Sequence, residues 1–468
     1  MGTDAGTVRE RLTILAHTAP VRVVASPSGA RAERVVGGLV SALMGVLRRK
    51  HHVWVALPVK GADTEQVNAA MPCAFAPVAF DQASYEGFYW HVANGTLWPL
   101  YHSLPQYVLP FCPQHWESYK AVNVAFARTA CGTARRDGWV WIHDYHLSLA
   151  PALLRQNAGD WQGKIAFFLH TPFPCWDIFR TLPCHKEILQ GMLGADRIGF
   201  HTDSYRANFS HCVRNALGIE PDPNEPNTLL YQGRRIQLRV APVGVDARGI
   251  KQRAQQSDVC RAAQKLREHI NVEFLLLGVD RLDYTKGIDA RLRIFEALLE
   301  SEPRLRGRVT LLQLCVPTRG RLTHYQQLRA QVEQLVGHIN GRFGEPGWVP
   351  VISLHHGLPP DQLPAWYVAA DMLLVTPWRD GMNLVAQEYV AAHAERPGSL
   401  VLSRFAGAAE KVLRDAVLIN PGAPKAAARR IAEELRAPPE HKQAGLQHLF
   451  HQLTRCDVNG FADACLGP

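Results

Sequence analysis

One stretch, residues 371–390, restricts the fold most. It opens with an apolar run that ends at Val375 and is typical of a buried parallel strand. From Asn383 onward apolar residues recur at helical spacing, and the intervening turn contains Gly381, which lets backbone approach a ligand closely. A strand that leads through such a turn into a helix presents N–H groups at the carboxyl edge of a sheet, where α/β proteins bind phosphates.

Two acidic residues lie at or within the helix of this stretch. Asp380 precedes the helix and Glu388 lies in its second turn. A carboxylate repels phosphate but accepts hydrogen bonds from sugar hydroxyls. A solvated polar loop explains either residue alone equally well, whereas the string as a whole favours a ligand site.

The same alternation of strands and helices recurs in two series along the chain, the first through residue 240 and the second from residue 272. It predicts an α/β protein with two Rossmann-like, doubly wound domains. We place these domains at residues 1–244 and 245–440. Residues 441–468 are predicted as a closing C-terminal helix, and packing of this helix against the first domain is left open.

Composition excludes several functional classes. Hydrophobic residues make up 47% and charged residues 20% of the 468, as in ordinary globular proteins. The net charge of +9 fits an anionic substrate, although scattered solvated cations explain it equally well. There is no basic run with interleaved aromatics, signal core or membrane-length apolar run. We therefore expect a cytoplasmic protein without nucleic-acid or membrane partners, whose ten scattered cysteines are reduced.

Candidate ligand groups also occur at strand ends in the first series. The run Val21–Ala25 is predicted as the first strand, and Gly37–Gly38 after it fits a phosphate-binding turn or close helix packing. Asp144 follows a strand that ends at Ile142, and His170 follows the next. The histidines near Asp144 lack a further ligand at recognisable spacing, so a metal is the weaker interpretation.

Two further regions supply aromatic and cationic side chains. The stretch Tyr85–His102 is rich in aromatics, which is typical of a core helix, but Gly95 and Pro99 interrupt it, which fits a partly exposed platform for sugars equally well. In the second series Arg281 and Lys286 lie between a strand and a helix, where they suit a diphosphate. A surface salt-bridge loop is the alternative.

Several ordered motifs resemble those of the trehalose-6-phosphate synthase family of retaining GT-B glycosyltransferases, in which two Rossmann-like domains face each other across a cleft. They are HDYHL at His143, HTPFP at His170, VDRLDYTKG at Val279, INGRFG at Ile339 and RDGMNLVAQEYV at Arg379. The resemblance implies metal-independent transfer of a hexosyl group, without a cofactor, from UDP-glucose or GDP-glucose to a phosphorylated acceptor such as glucose 6-phosphate. Homo-oligomerisation is left open.

The resemblance also implies residue roles. Donor binding would involve Gly38, Arg281, Lys286, Asp380, Gly381, Met382, Asn383, Leu384 and Glu388. Acceptor binding would involve Tyr89, Trp98, Asp144 and Arg319, with Arg319 on the phosphate. The catalytic residues would be Asp144, His170, Arg281 and Lys286, with His170 beside the reacting sugar.

The acceptor side departs from the family pattern. The family's first strand ends in Ser-Asn-Arg, and with Val21–Ala25 as that strand, Ser28 stands where the arginine is expected. Arg31 or Arg34 would be the substitute cation. The segment 56–61 also lacks the family's Gly-Trp-Ser-Gly. Alternatives are therefore a different acceptor (glycerol 3-phosphate, a cyclitol phosphate or a sugar of a nucleoside-type natural product) or a non-catalytic nucleotide-sugar-binding homologue.

Overall fold

The structure, a computed structural model, describes residues 12–26, 29–34, 43, 52–157, 159, 161–359, 361–456 and 458–467. The chain divides into two compact units. The first comprises Met1–Val243 with Val458–Pro468, and the second comprises Gly244–Asp457. Among the described residues, no helix is long and apolar enough to cross a membrane.

The described strands of the first unit form a nine-stranded sheet and a separate two-stranded hairpin. They are β1 Leu12–Leu15, β2 Val21–Ser26, β3 Gly29–Arg34, β4 Val53–Ala56, β5 Ala74–Pro77, β6 Trp139–His143, β7 Lys164–Phe168, β8 Arg197–Phe200, β9 Pro221–Asp222, β10 Glu225–Tyr231 and β11 Arg234–Val240. The sheet order is β5-β4-β1-β6-β7-β8-β11-β10-β9. Strands β5 to β11 in this order are parallel, and β10 and β9 add an antiparallel edge.

Helices surround this sheet. The α-helices are Thr64–Ala70, Gln82–Tyr85, Trp98–Tyr101, Pro113–Thr133, Ala150–Asn157, Trp176–Phe179, His185–Met192, Asp203–Leu217 and Val458–Leu466. A π-helix spans Glu86–Leu97, and 3₁₀ turns span Pro105–Tyr107 and Tyr145–Leu147.

The central strands of the first unit end together. Leu15 of β1 pairs with Ile142 of β6, which pairs with Phe167 of β7, and Phe167 pairs with Ile198 of β8. Because these strands are parallel and covered on both faces, they are nearly continuous apolar runs. The polar residues that follow them are therefore brought to one edge of the sheet.

The run from Val21 is a strand, but the prediction that it is the first strand of the chain was wrong. The segment beginning at Val21 forms β2, which pairs antiparallel with β3 in the separate hairpin. The turn-forming sequence Ser26–Gly29 explains this outcome, because Pro, Ser and Gly between two short runs favour a hairpin. The main sheet instead uses β1, between β4 and β6. Gly38 and Ser28 lie outside the described residues.

The aromatic stretch is a largely buried helical segment without the predicted interruptions. The π-helix continues into Trp98–Tyr101 without a break. Gly95 faces Leu109 so closely that an added Cβ would lie 2.5 Å from its Cδ1. Pro99 lies where π-helical pairing gives way to α-helical pairing, a position that tolerates a missing N–H.

The described strands of the second unit form a six-stranded parallel sheet in the order β14-β13-β12-β15-β16-β17. They are β12 Phe274–Arg281, β13 Val309–Val316, β14 Val351–Leu354, β15 Met372–Val375, β16 Ser399–Ser403 and β17 Val417–Ile419. The α-helices are Ala247–Ala254, Ser257–Ile270, Ile288–Ser301, Thr323–Phe343, Leu363–Ala369, Leu384–Ala392, Gly407–Glu410, Pro424–Arg436 and Pro439–Leu453, with 3₁₀ turns at Tyr284–Lys286 and Pro303–Leu305. The predicted α/β class with two doubly wound sheets is confirmed.

The C-terminal segment contains two helices rather than one. Pro439–Leu453 belongs to the second unit, whereas Val458–Leu466 belongs to the first. In the first unit the ring of Phe461 lies 5.4 Å from Trp141 and 4.8 Å from Phe168, centroid to centroid. The last helix therefore packs against the first sheet, where it contacts β7, β8 and β11.

Candidate active site

A pair of histidines lies at the carboxyl edge of the first sheet. His143 is the last residue of β6 and is buried, while His170 follows β7 and is partly exposed. The Nδ1 atom of His143 lies 3.0 Å from Nε2 of His170, so the two rings share a hydrogen bond. Burial lowers the pKa of His143 to about 3. The pKa of His170 is held well below its ordinary value, mainly by burial and to a smaller extent by the nearby His143 and His201. Both rings are therefore neutral.

Asp144 links the backbones of the same two strand ends. Its carboxylate Oδ1 accepts a hydrogen bond of 3.2 Å from the His170 backbone N–H. Its φ of 72° is unusual for a residue other than glycine and places the side chain at the turn after β6. The structure thus brings the predicted residues Asp144 and His170 together.

A stack of aromatic rings stands beside these residues. The ring of His17 lies 4.9 Å from that of Tyr89 and 4.5 Å from that of His146, with interplanar angles of 10° and 12°. Tyr85 extends the stack, 5.1 Å from Tyr89. Trp98, also predicted for the acceptor, is buried, and its ring lies 5.8 Å from that of Tyr145.

The position of β1 changes which residues follow the first strand of the main sheet. The first strand of the main sheet, β1, ends at Leu15 and is followed by Ala16, His17 and Thr18. The prediction that the first strand of this sheet leads to Ser28 is therefore wrong, and no arginine is present among the three residues that follow β1. Sequence reasoning missed His17, although the short apolar run before it was the available signal.

In the second unit, the turn before the helix Leu384–Ala392 holds an ion pair. Nζ of Lys286 lies 2.6 Å from Oδ2 of Asp380, and the two side chains are only 12% and 9% exposed. The Asp380 carboxylate also accepts hydrogen bonds from the Gly381 N–H and the Asn383 amide, both at 2.9 Å. Asp380 is thus fully engaged, and its contacts fix the position of the lysine.

The predicted residues around this ion pair form one turn. Asn383 has a φ of 44° and caps the helix by accepting a hydrogen bond from the Ala386 N–H. Met382 is buried and Gly381 is buried beside it, while Leu384 begins the helix and is half-buried. The structure therefore brings the predicted residues Asp380 to Leu384 and Lys286 together at one strand end.

Two loops of the second unit are joined at this point. The hydroxyl of Thr376 donates to the Gly287 carbonyl at 3.0 Å, and the Trp378 N–H donates to the Thr285 carbonyl at 2.9 Å. Gly287 has a φ of 59°, and a Cβ there would collide with the Thr376 carbonyl. The loop that carries Lys286 and the loop that carries Asp380 are therefore held as one surface.

Arg319 belongs to a second charged group in this unit. Its Nη1 lies 3.1 Å from Oδ2 of Asp283 and 2.8 Å from the hydroxyl of Tyr325. Burial favours a raised pKa for Asp283, but Arg319 and Arg281 outweigh it and hold this pKa below its ordinary value. Arg281, at the end of β12, is exposed. Sequence analysis did not single out Asp283, which orients Arg319.

Glu388 forms a separate contact in the second turn of its helix. The hydroxyl of Tyr367 donates a hydrogen bond of 2.7 Å to its Oε2. Burial raises the pKa of Glu388, and the hydrogen bond from Tyr367 opposes that effect. Across the described parts of the chain, no group of three or more His, Cys, Asp or Glu side chains is arranged to hold a metal ion.

Comparison with known proteins covers almost the whole chain. Residues 10–467 match glycosyltransferase family 20. The trehalose-6-phosphate synthase of Mycolicibacterium paratuberculosis is 38% identical over an alignment of 479 positions, which covers 99% of this chain and 96% of that protein. The UDP-forming α,α-trehalose-phosphate synthase of Candida albicans is 37% identical over 431 residues, covering 90% and 88%.

Two solved structures are similar in fold. One, from E. coli with bound UDP-2-fluoro glucose, has a TM-score of 0.86 and 29% identity, and covers 97% of each chain. The other, a UDP-forming α,α-trehalose-phosphate synthase from Burkholderia xenovorans in complex with glucose 6-phosphate, has a TM-score of 0.85 and 32% identity. It covers 97% of this chain and 98% of the other.

Proposed function

Because this chain belongs to glycosyltransferase family 20, we propose that it transfers glucose from UDP-glucose to glucose 6-phosphate, forming trehalose 6-phosphate and UDP. The predicted enzyme class and the GT-B fold are confirmed. Relatives named as UDP-forming synthases and a similar structure with bound glucose 6-phosphate support this choice of donor and acceptor.

The observation that carries the proposal is the ion pair of Lys286 and Asp380 at the start of the helix Leu384–Ala392. Departure of a nucleoside diphosphate leaves negative charge on the leaving oxygen. A lysine fixed before the reaction stabilises that charge without having to move, and the positive end of the helix adds to the effect. Arg281 provides a second cation from the end of β12.

We propose that the reaction retains the anomeric configuration and needs no metal. A retaining enzyme with a covalent intermediate uses two carboxylates about 5 Å apart. Here the carboxylate of Asp144 accepts from the His170 N–H, and that of Asp380 is neutralised by Lys286. Neither is placed as a nucleophile, so the departing phosphate itself takes the acceptor's hydroxyl proton, on the same face of the sugar.

A second candidate keeps the donor and changes the acceptor. The observation that favours it is the sequence Ala16-His17-Thr18 after β1, which contains no arginine where the family has one. Loss of one charge-assisted contact would weaken binding of a phosphorylated acceptor by about 1.5–3 kcal/mol. Glycerol 3-phosphate and cyclitol phosphates are the acceptors to compare with glucose 6-phosphate.

The test incubates the purified protein with UDP-, GDP- or ADP-glucose, each with and without every acceptor, and measures nucleotide release. Release from UDP-glucose that depends on glucose 6-phosphate, together with an α,α-linked product in the NMR spectrum, is the expected result. Release that depends on another acceptor would replace glucose 6-phosphate in the proposal. Donor binding without release for any acceptor would instead identify a non-catalytic homologue.

A further inference from the structure

The hydrogen bond between His143 and His170 raises the question of which ring donates the proton. Both rings are neutral, so each carries one N–H. If His143 donates from Nδ1, then His170 must carry its own proton on Nδ1. If His170 donates from Nε2, then its Nδ1 is a bare acceptor and His143 carries its proton on Nε2. The two states present opposite groups to a ligand.

The surroundings of His143 distinguish these states. Its Nε2 is buried and has no hydrogen-bond partner within the described part of the chain. A buried N–H without an acceptor is rare in proteins, and an unsatisfied acceptor is tolerated more often. The proton of His143 therefore lies on Nδ1, from which it is donated to Nε2 of His170.

The rings are held so that this hydrogen bond persists. His143 belongs to the fully buried strand β6, and its ring lies 4.5 Å from that of Trp141. Around His170, the rings of Phe168, His201 and Phe461 lie at 4.7, 5.5 and 6.2 Å. The backbone N–H of His170 is fixed separately by Asp144. These ring contacts and the backbone hydrogen bond restrict the rotation of both imidazoles.

We propose that His143 is a positioning residue that fixes His170 as the Nδ1–H tautomer, so that His170 offers a neutral N–H donor to an oxygen of the bound sugar. The part of this inference that concerns the sugar rests on the proposed function. The tautomer itself follows from the contacts of the first unit alone. A donor held in this way accepts no proton from the sugar hydroxyl and acts by orienting it.

The direct test is the protonation state of His170 in the ligand-free protein. Histidine labelled with ¹⁵N in the ring distinguishes a nitrogen that carries hydrogen from one that does not, and the His170→Gln variant assigns the signals. We expect hydrogen on Nδ1 of His170 and none on Nε2. Hydrogen on Nε2 of His170, or rapid exchange between both nitrogens, would overturn the inference. Because no turnover is needed, this result is independent of the proposed function.

Three substitutions at position 143 extend the test to activity. In His143→Asn the amide N–H replaces Nδ1–H as a donor, in His143→Asp the carboxylate can only accept, and in His143→Leu the bond is lost. We expect His143→Asn to retain the tautomer and kcat within about threefold, while the other two lower kcat by roughly 10- to 100-fold. Equal kcat values in Asn and Leu variants that both fold would contradict a positioning role.

A matched control is available in the same unit. His52 is also buried, and its Nδ1 accepts a hydrogen bond of 3.2 Å from the Leu12 N–H at the opposite, amino end of β1. We expect His52→Asn to lower the melting temperature without changing the His170 signals or kcat. A loss of kcat in His52→Asn as large as that in His143→Leu would show that general destabilisation explains both, and would refute the positioning role.

Discussion

The two units use the same strand-to-helix architecture but place different chemistry at the carboxyl edges of their sheets. In the first unit, neutral imidazoles and stacked rings follow the strands, represented by the His143–His170 pair. In the second unit the corresponding edge holds ion pairs, Lys286 with Asp380 and Arg319 with Asp283. Fixed charges suit phosphate groups, whereas uncharged donors and ring faces suit a sugar. The difference shows that the fold provides the edge and that the residues after each strand decide what it binds.

The largest expected effect is that of removing the buried charge from the second unit. Lys286→Met keeps most of the side-chain volume but leaves Asp380 without its cation, so the leaving diphosphate meets an uncompensated carboxylate. We expect kcat/KM for UDP-glucose to fall by roughly 100- to 1,000-fold. Steady-state kinetics with saturating acceptor would measure it.

A surface lysine of the same unit provides the control. Lys251 pairs with Glu395 at 2.5 Å, but its side chain is 31% exposed and that of Glu395 is 55% exposed. Lys251→Met should therefore leave kcat/KM unchanged. If Lys286→Met retained near-normal turnover, the donor site would have to be placed elsewhere.

The next effect concerns the neutral histidines of the first unit. The pKa of His143 is about 3 in the folded protein and about 6.5 in the unfolded chain. Between these two pH values the unfolded chain therefore binds a proton on His143, whereas the folded protein does not. Folding stability must then fall as the pH decreases from about 6.5 towards 3, by up to about 1.4 kcal/mol per pH unit from this residue. Urea denaturation at pH 6.5 and 4.5 would show a smaller pH-dependent loss in His143→Leu than in the wild type. Equal losses would mean that His143 is protonated in the folded protein.

The sequence alone predicted the carboxyl edge of the sheet more completely in the second unit than in the first. The turn at Asp380–Leu384 and the loop at Lys286 each follow a leucine-rich run, and helical spacing marks where each helix begins. The partners could not be predicted, since the contact of Lys286 with Asp380 joins residues 94 positions apart. The role of Asp283 was hidden for the same reason.

The first unit was harder to predict because its first strand is short and contains a polar residue. The four residues Leu12–Leu15, of which Thr13 is polar, carry too little periodicity to be distinguished from a loop, whereas the hairpin run from Val21 is longer and rich in valine. Because the run from Val21 was predicted as the first strand, the expected acceptor contact was assigned to Ser28 and His17 was missed. The hydrogen bond of His143 with His170 depends on strand pairing, which no local pattern encodes.

Substitution of Asp144 tests whether this residue binds the acceptor or the donor. Asp144→Asn keeps an oxygen that can accept from the His170 N–H, but it removes the charge that would bind acceptor hydroxyls. We expect KM for glucose 6-phosphate to rise about tenfold, as for the loss of one charge-assisted hydrogen bond, with KM for UDP-glucose nearly unchanged. A rise confined to UDP-glucose would move Asp144 to the donor side.

The smallest expected effect is that of the ring stack. His17→Ala removes an imidazole that stacks on Tyr89 and His146, and such contacts contribute about 0.5–1.5 kcal/mol beyond the area they bury. If the stack forms a wall of the acceptor pocket, KM for glucose 6-phosphate should rise by about threefold to tenfold while kcat stays within twofold. The control is His115→Ala, which removes the ring stacked on His91 at 3.7 Å in the same unit and should leave both constants unchanged. An unchanged KM in His17→Ala would leave the stack as a packing feature, and the aromatic edge of the first unit would then be structural rather than a binding surface.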